Sequence, residues 1–111
     1  MIQVMKMLNL KRTSVLVEQI LREEPQTRNS DSLLYLKVLQ HHAAEKNMDL
    51  QNISLPLFLL NMGDWGYPPF ESVRRTRQKT QAQYPELAAN DRVSGFRSAN
   101  EEEYRAYALS K

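Results

Sequence analysis

The sequence predicts an all-α fold, a compact bundle of about five helices. Three observations carry this. Only 3 glycines occur in 111 residues. Long segments are rich in Leu, Met, Gln, Glu and Arg, which lose little rotamer freedom in a helix. No stretch has the strict apolar–polar alternation of a half-buried strand. The length fits one domain, residues 1–111. An apolar share of 41% with 25% charged residues places the chain among core-forming globular proteins.

The first helix is expected from Thr13 to Glu23, with residues 1–12 as a flexible lead-in. Thr13 can cap it, and Leu16–Ile20 and Val17–Leu21 are i, i+4 pairs. With Val15 added, the segment is more apolar than one buried face requires, so residues 13–23 are a candidate homodimer seam. Pro25 in "EEPQTRNSD" breaks the helix. The second helix runs from Asp31 to Lys46, capped by Asn29 or Ser30. Leu34, Val38 and His41, with Leu39 and Ala43, form a broad face beside Tyr35.

A short third helix spans Leu55 to Met62. Ser54 caps it, Pro56 suits its first turn, and Gly63 stands where a left-handed residue ends a helix. Pro56 also argues against a strand over residues 51–60. Apolar nearly all round, this helix is expected to be buried. "GDWGYPP" then makes a tight connection. Trp65 and Tyr67 either seal the core or anchor a partner, because aromatics beside arginines are common interface hot spots. The fourth helix starts at Pro69 and ends near Gln83, before Pro85. "ELAANDRVSGFR" reads as irregular. The capping-box pattern Ser98 to Glu101 opens a last helix over 99–109.

Projected at 100° per residue, the fourth helix is two-faced. Phe70, Val73, Thr80 and Tyr84 face the core. Arg74, Arg75, Gln78 and Lys79 face outward, and Arg77 falls near the apolar side, where it can run along the core edge or pair with an acid. The outward set suits nucleic acid: arginine forks onto guanine or phosphate, glutamine addresses adenine, and lysine neutralises phosphate. The alternative is an ordinary solvated face joined by a Glu71–Arg75 pair.

A short buried helix, a glycine-containing connection and a basic amphipathic helix is also the layout of a helix-turn-helix unit, here over 55–83. Within it, "FESVRRTRQK" resembles the recognition helix of winged-helix repressors. A wider resemblance joins "TRNSDSLLYLKV" (27–38), "GYPPFESVRRTRQKTQAQYPEL" (66–87) and "EEEYRAYA" (101–108). Together they are similar to small proteins encoded by phages and prophages of Gram-positive bacteria. That resemblance implies either a transcriptional regulator or an inhibitor of a host defence system, such as an anti-CRISPR protein.

The remaining chemistry is sparse. There is no cysteine, so disulfides, thiolate metal sites and cysteine nucleophiles are excluded. Adjacent histidines at 41 and 42 point about 100° apart on a helix and cannot grip one ion together. No triad or phosphate-cradling glycine loop is visible. Glu101, Glu102 and Glu103 read as acids favoured by a helix N-terminus, not as a catalytic pair. The start "MIQVMKMLNLKR" carries its charges after its apolar residues, unlike a secretory signal. No apolar run approaches the ~20 residues of a membrane span.

The expectation is therefore a non-enzymatic, phage-encoded nucleic-acid-binding regulator, without cofactor or metal, in the cytoplasm of a bacterial host. Its partner would be DNA or a nucleoprotein complex, met through Arg74, Arg75, Gln78 and Lys79. The alternative is a defence inhibitor that binds a protein or ribonucleoprotein.

Overall fold

The computed structural model describes residues 2–109, with side chains for 12–103, 105 and 106. Five α-helices follow one another: α1 (Ile2–Glu23), α2 (Asp31–Glu45), α3 (Leu55–Asn61), α4 (Phe70–Gln83) and α5 (Asp91–Leu109). Short 3-10 turns link several of them, and no strand occurs among the described residues.

The main core is built where α1, α2 and α4 meet. Val17, Ile20 and Leu21 come from α1, Leu34 and Val38 from α2, Val73 from α4 and Leu87 from the turn after it. All seven are essentially sealed from solvent. Burying each side chain of this size contributes roughly 1.5–3 kcal/mol. The apolar excess of residues 13–23 is absorbed here. Val17, Ile20 and Leu21 are buried, Leu16 packs against them, and of the five only Val15 is left outside. The seam expected between two copies is thus occupied by the protomer's own helices.

Local chemistry explains most helix ends. Ser30 caps α2 by accepting the Leu33 N–H at 3.1 Å. At its other end Asn47 takes a left-handed φ of 55°. There the N–H groups of Asn47 and Met48 donate to the carbonyls of Ala44 and Ala43 at 3.3 and 2.9 Å, a Schellman closure with asparagine in the usual glycine position. Ser54 caps α3 through the Leu57 N–H at 3.3 Å, as expected. Pro69 precedes α4 and Tyr84 follows it, which matches the boundaries expected from the two proline signals.

Several expectations are corrected. α1 begins at Ile2 rather than Thr13, since nothing in residues 2–12 breaks a helix. The side chains of residues 1–11 lie outside the described set, and with them the expected looseness of this lead-in. Gly63 is not the left-handed residue after α3. That role falls to Gly66, φ 85°, where an added Cβ would stand 3.4 Å from Lys46 Nζ. α5 starts at Asp91, well before residue 99. Asn90 is its cap, accepting the Val93 N–H at 2.9 Å, and Ser98 lies inside the helix.

The largest correction concerns α3, which was expected to be buried. Only Phe58 is buried, in a second cluster with Ala43 and Tyr67. Leu55, Leu57, Leu59 and Leu60 remain exposed, Leu60 at 82%. Tyr67 belongs to this core, so it is not a free partner anchor. Its ring meets Phe58 edge-on at 5.0 Å and its hydroxyl donates to Met48 Sδ at 3.3 Å. Trp65 is half-buried against Phe58.

α4 packs chiefly on α1 and α2, while α3 reaches the body through Phe58 and its cluster. The close α3–α4 packing of a helix-turn-helix is not found, and the connection 62–69 is longer than the usual turn of about three or four residues.

One ion pair clamps α4 to the bundle. Arg77 donates from Nε to Asp31 Oδ1 at 2.8 Å and from Nη2 to Oδ2 at 3.1 Å. Its side chain is 7% exposed and that of Asp31 22%. The projection that placed Arg77 at the core edge beside an acid describes this arrangement. Removing one partner from a pair this deep strands the other charge. Asp31→Ala is therefore expected to lower unfolding stability by about 3 kcal/mol, whereas Arg77→Met should lower it by less, because Asp31 is the more exposed partner and keeps Arg97 at 3.6 Å. Urea denaturation of both variants checks this; equal losses would show that packing, not charge, holds the junction.

Candidate nucleic-acid interface

α4 presents its cations on two sides of Glu71. Arg74 donates to both Glu71 carboxylate oxygens, Nε at 3.0 Å and Nη2 at 2.6 Å. Arg75 donates from Nε to Glu71 Oε1 at 3.2 Å. These i+3 and i+4 contacts follow from helix spacing. Arg74 and Arg75 hold the Glu71 carboxyl down at about 2, with Arg74 the larger cause. Glu71 in turn raises the Arg74 guanidinium above its ordinary value.

The four residues expected to act together are split by the structure. Arg75, 71% exposed at its side chain, and Lys79 stand on the open side of α4. Arg74 and Gln78 turn instead into a cleft shared with α5. Gln78 Nε2 donates there to Glu101 Oε1 at 3.2 Å. Glu101 of α5 thus lies beside the basic helix, and its position in mid-helix replaces its expected role in an N-terminal turn.

Sequence reasoning missed the rest of this cleft. Asp31, Arg97, Asn100 and Arg105 also line it. Arg97 sits in a segment that reads as irregular because Ser94 and Gly95 interrupt its helical pattern. Asp31 reads only as a helix-starting acid. Gln81, which carries no motif, joins the parts. Its amide nitrogen donates to the carbonyls of Arg28 and Leu87 at 3.1 and 3.0 Å. Its oxygen accepts from Arg77 and Arg97 at 3.3 and 3.4 Å.

Elsewhere the chemistry is quiet. Among the described residues no three His, Asp or Glu side chains gather closely enough to hold a metal ion. No helix among them is long and apolar enough to cross a membrane. His42 lies against Tyr67, ring centroids 6.0 Å apart. Burial pushes its pKa down, and the charge of Lys46 adds to this. No family model matches the chain, and neither a curated protein nor a solved structure matches it.

The depressed Glu71 carboxyl has a direct consequence. Its ion pairs favour the folded state above the ordinary glutamate range, and that contribution disappears as pH falls through about 2. A carbon-detected NMR titration should find Glu71 still ionised below the ordinary glutamate range. Arg74→Ala should move its midpoint back toward the ordinary value. An unchanged midpoint in that variant would break the assignment of cause.

Proposed function

We propose that this chain is a non-enzymatic nucleic-acid-binding regulator that meets the phosphate backbone of DNA with the basic side of α4. The observation that supports this reading most directly is the disposition of α4. Val73, Arg77 and Thr80 fix one face to the core, and Arg75 and Lys79 stand outward on the other. A rigid helix with outward cations neutralises phosphates without ordering a loop. Backbone contact, rather than base reading by a helix-turn-helix, is what this geometry favours, because α4 has α1 and α2 as its neighbours. A phage origin for such a regulator rests on the sequence resemblance alone.

A second reading has its own support. Leu55, Leu57, Leu59 and Leu60 give α3 an exposed apolar surface of a kind that marks protein contacts. That surface suits an inhibitor acting on a protein or ribonucleoprotein.

Two measurements bear on these readings. Binding to duplex DNA should weaken with salt, with a log–log slope of roughly −2 if Arg75 and Lys79 each meet one phosphate. Arg75→Ala and Lys79→Ala should each flatten that slope by about one, and Glu71→Gln should strengthen binding by freeing both arginines. Affinity indifferent to all three would remove α4 from the interface. For α3, a Leu57→Glu, Leu60→Glu double variant should keep the wild-type melting temperature, since both side chains already lie largely in water. It should lose most of the fluorescence of an apolar dye; undiminished fluorescence would place the accessible apolar surface elsewhere.

A further inference from the structure

We propose that the cleft between α4 and α5 is a binding site for a phosphate group, held by Arg97, Arg105 and Arg74 with the side-chain amides of Gln78 and Asn100. Four guanidiniums, Arg74, Arg77, Arg97 and Arg105, line the cleft against three carboxylates, Asp31, Glu71 and Glu101. Those carboxylates are unevenly shared. Arg77 takes Asp31 with two short hydrogen bonds, while Arg97 reaches the same carboxylate only at 3.6 Å. The other contacts of Arg97 are to neutral oxygens, the Arg28 carbonyl at 3.1 Å and Gln81 Oε1 at 3.4 Å. Glu71 is committed to Arg74 and Arg75, and Glu101 to Gln78.

Arg97 is thus a partly buried cation, 21% exposed at its side chain, sharing one acid with a better-placed rival. Burial pushes its pKa down and the neighbouring Arg77 charge pushes the same way, as expected of a cation short of counter-charge. An incoming anion supplies what the cleft lacks. The opening, about 660 Å³, admits a phosphate with a group attached. Planar guanidinium forks approaching from α4 and α5 suit an oxyanion with several free oxygens better than a single point charge. Glu101 is the local competitor, and its exposed bond to Gln78 is of the kind that is readily exchanged.

The phosphate can come from a small phosphomonoester or from a nucleic-acid backbone. Only the second source rests on the reading of α4 given above, since Arg75 and Lys79 do not line this cleft. The test is an NMR titration of the full chain with inorganic phosphate at fixed ionic strength, followed by short thymidine oligonucleotides with and without a 5′-phosphate. Saturable shifts are expected at residues 74, 78, 97, 100 and 105, with chloride producing none. Arg105→Gln, an exposed position whose change should leave the fold intact, should weaken phosphate binding about tenfold. Arg12→Gln, at an exposed cation outside the cleft, should leave it unchanged. A required 5′-phosphate identifies a monoester; equal binding of both oligonucleotides, each weakened by Arg105→Gln, identifies the backbone. No saturable shift, or an unaltered affinity in Arg105→Gln, overturns the proposal. Phosphate binding without any duplex binding would instead retire the reading of α4 and leave this site standing.

Discussion

Asp31 is the residue on which the polar half of the molecule depends. It sits in the first turn of α2, where a negative charge is favoured by the helix dipole. It fixes Arg77 of α4 by a two-pronged contact and draws Arg97 of α5 toward the same point. Gln81 completes the junction by tying both arginines to the carbonyls of Arg28 and Leu87. Three helices and two connections therefore meet around one carboxylate. A junction of this kind is weak evidence for net stability, since desolvation offsets much of the attraction. It is strong evidence for orientation, because a guanidinium fork accepts few other geometries.

Orientation in turn gives α4 its two kinds of surface. With Arg77 held inward, the helix cannot roll, so Arg75 and Lys79 face water while Arg74 and Gln78 face α5. Glu71 then moderates both sides, since one carboxylate is shared by Arg74 and Arg75. The net positive field of the helix is smaller than its composition implies. Removing that acid changes charge without touching the core, which separates an electrostatic role of α4 from a structural one.

Much of the fold is legible in the sequence where a local chemical signal stands alone. Ser30 and Ser54 cap as their positions imply, and the prolines at 69 and 85 bracket α4. The inward lean of Arg77 follows from helical projection. Legibility fails where two signals compete. Asn90 and Ser98 are both competent caps, and the glycine at 95 makes the earlier one look wrong. It fails again where the outcome depends on how much room the tertiary structure offers. α3 is apolar all round, yet Ala43 and Tyr67 make a seat for Phe58 only, and no local pattern states the size of that seat. The cleft was hidden for a third reason: its members come from residues 31, 71–78 and 97–105, distant stretches brought together by the same carboxylate.

The attachment of α5 follows from these facts. Among its described side chains, α5 contributes none to either buried cluster. Described residues hold it by polar contacts: Asn90 donates its N–H to Asn29 Oδ1 at 2.9 Å, Arg97 reaches Asp31, and Glu101 accepts from Gln78. Polar contacts of this sort are individually small and are weakened by salt. An anion that engages Arg97 adds to the compensation Asp31 provides, while displacing Glu101 from Gln78 removes one tether. Occupation of the cleft and the seating of α5 are therefore linked, and by reciprocity whatever shifts α5 alters the affinity of the cleft by the same factor.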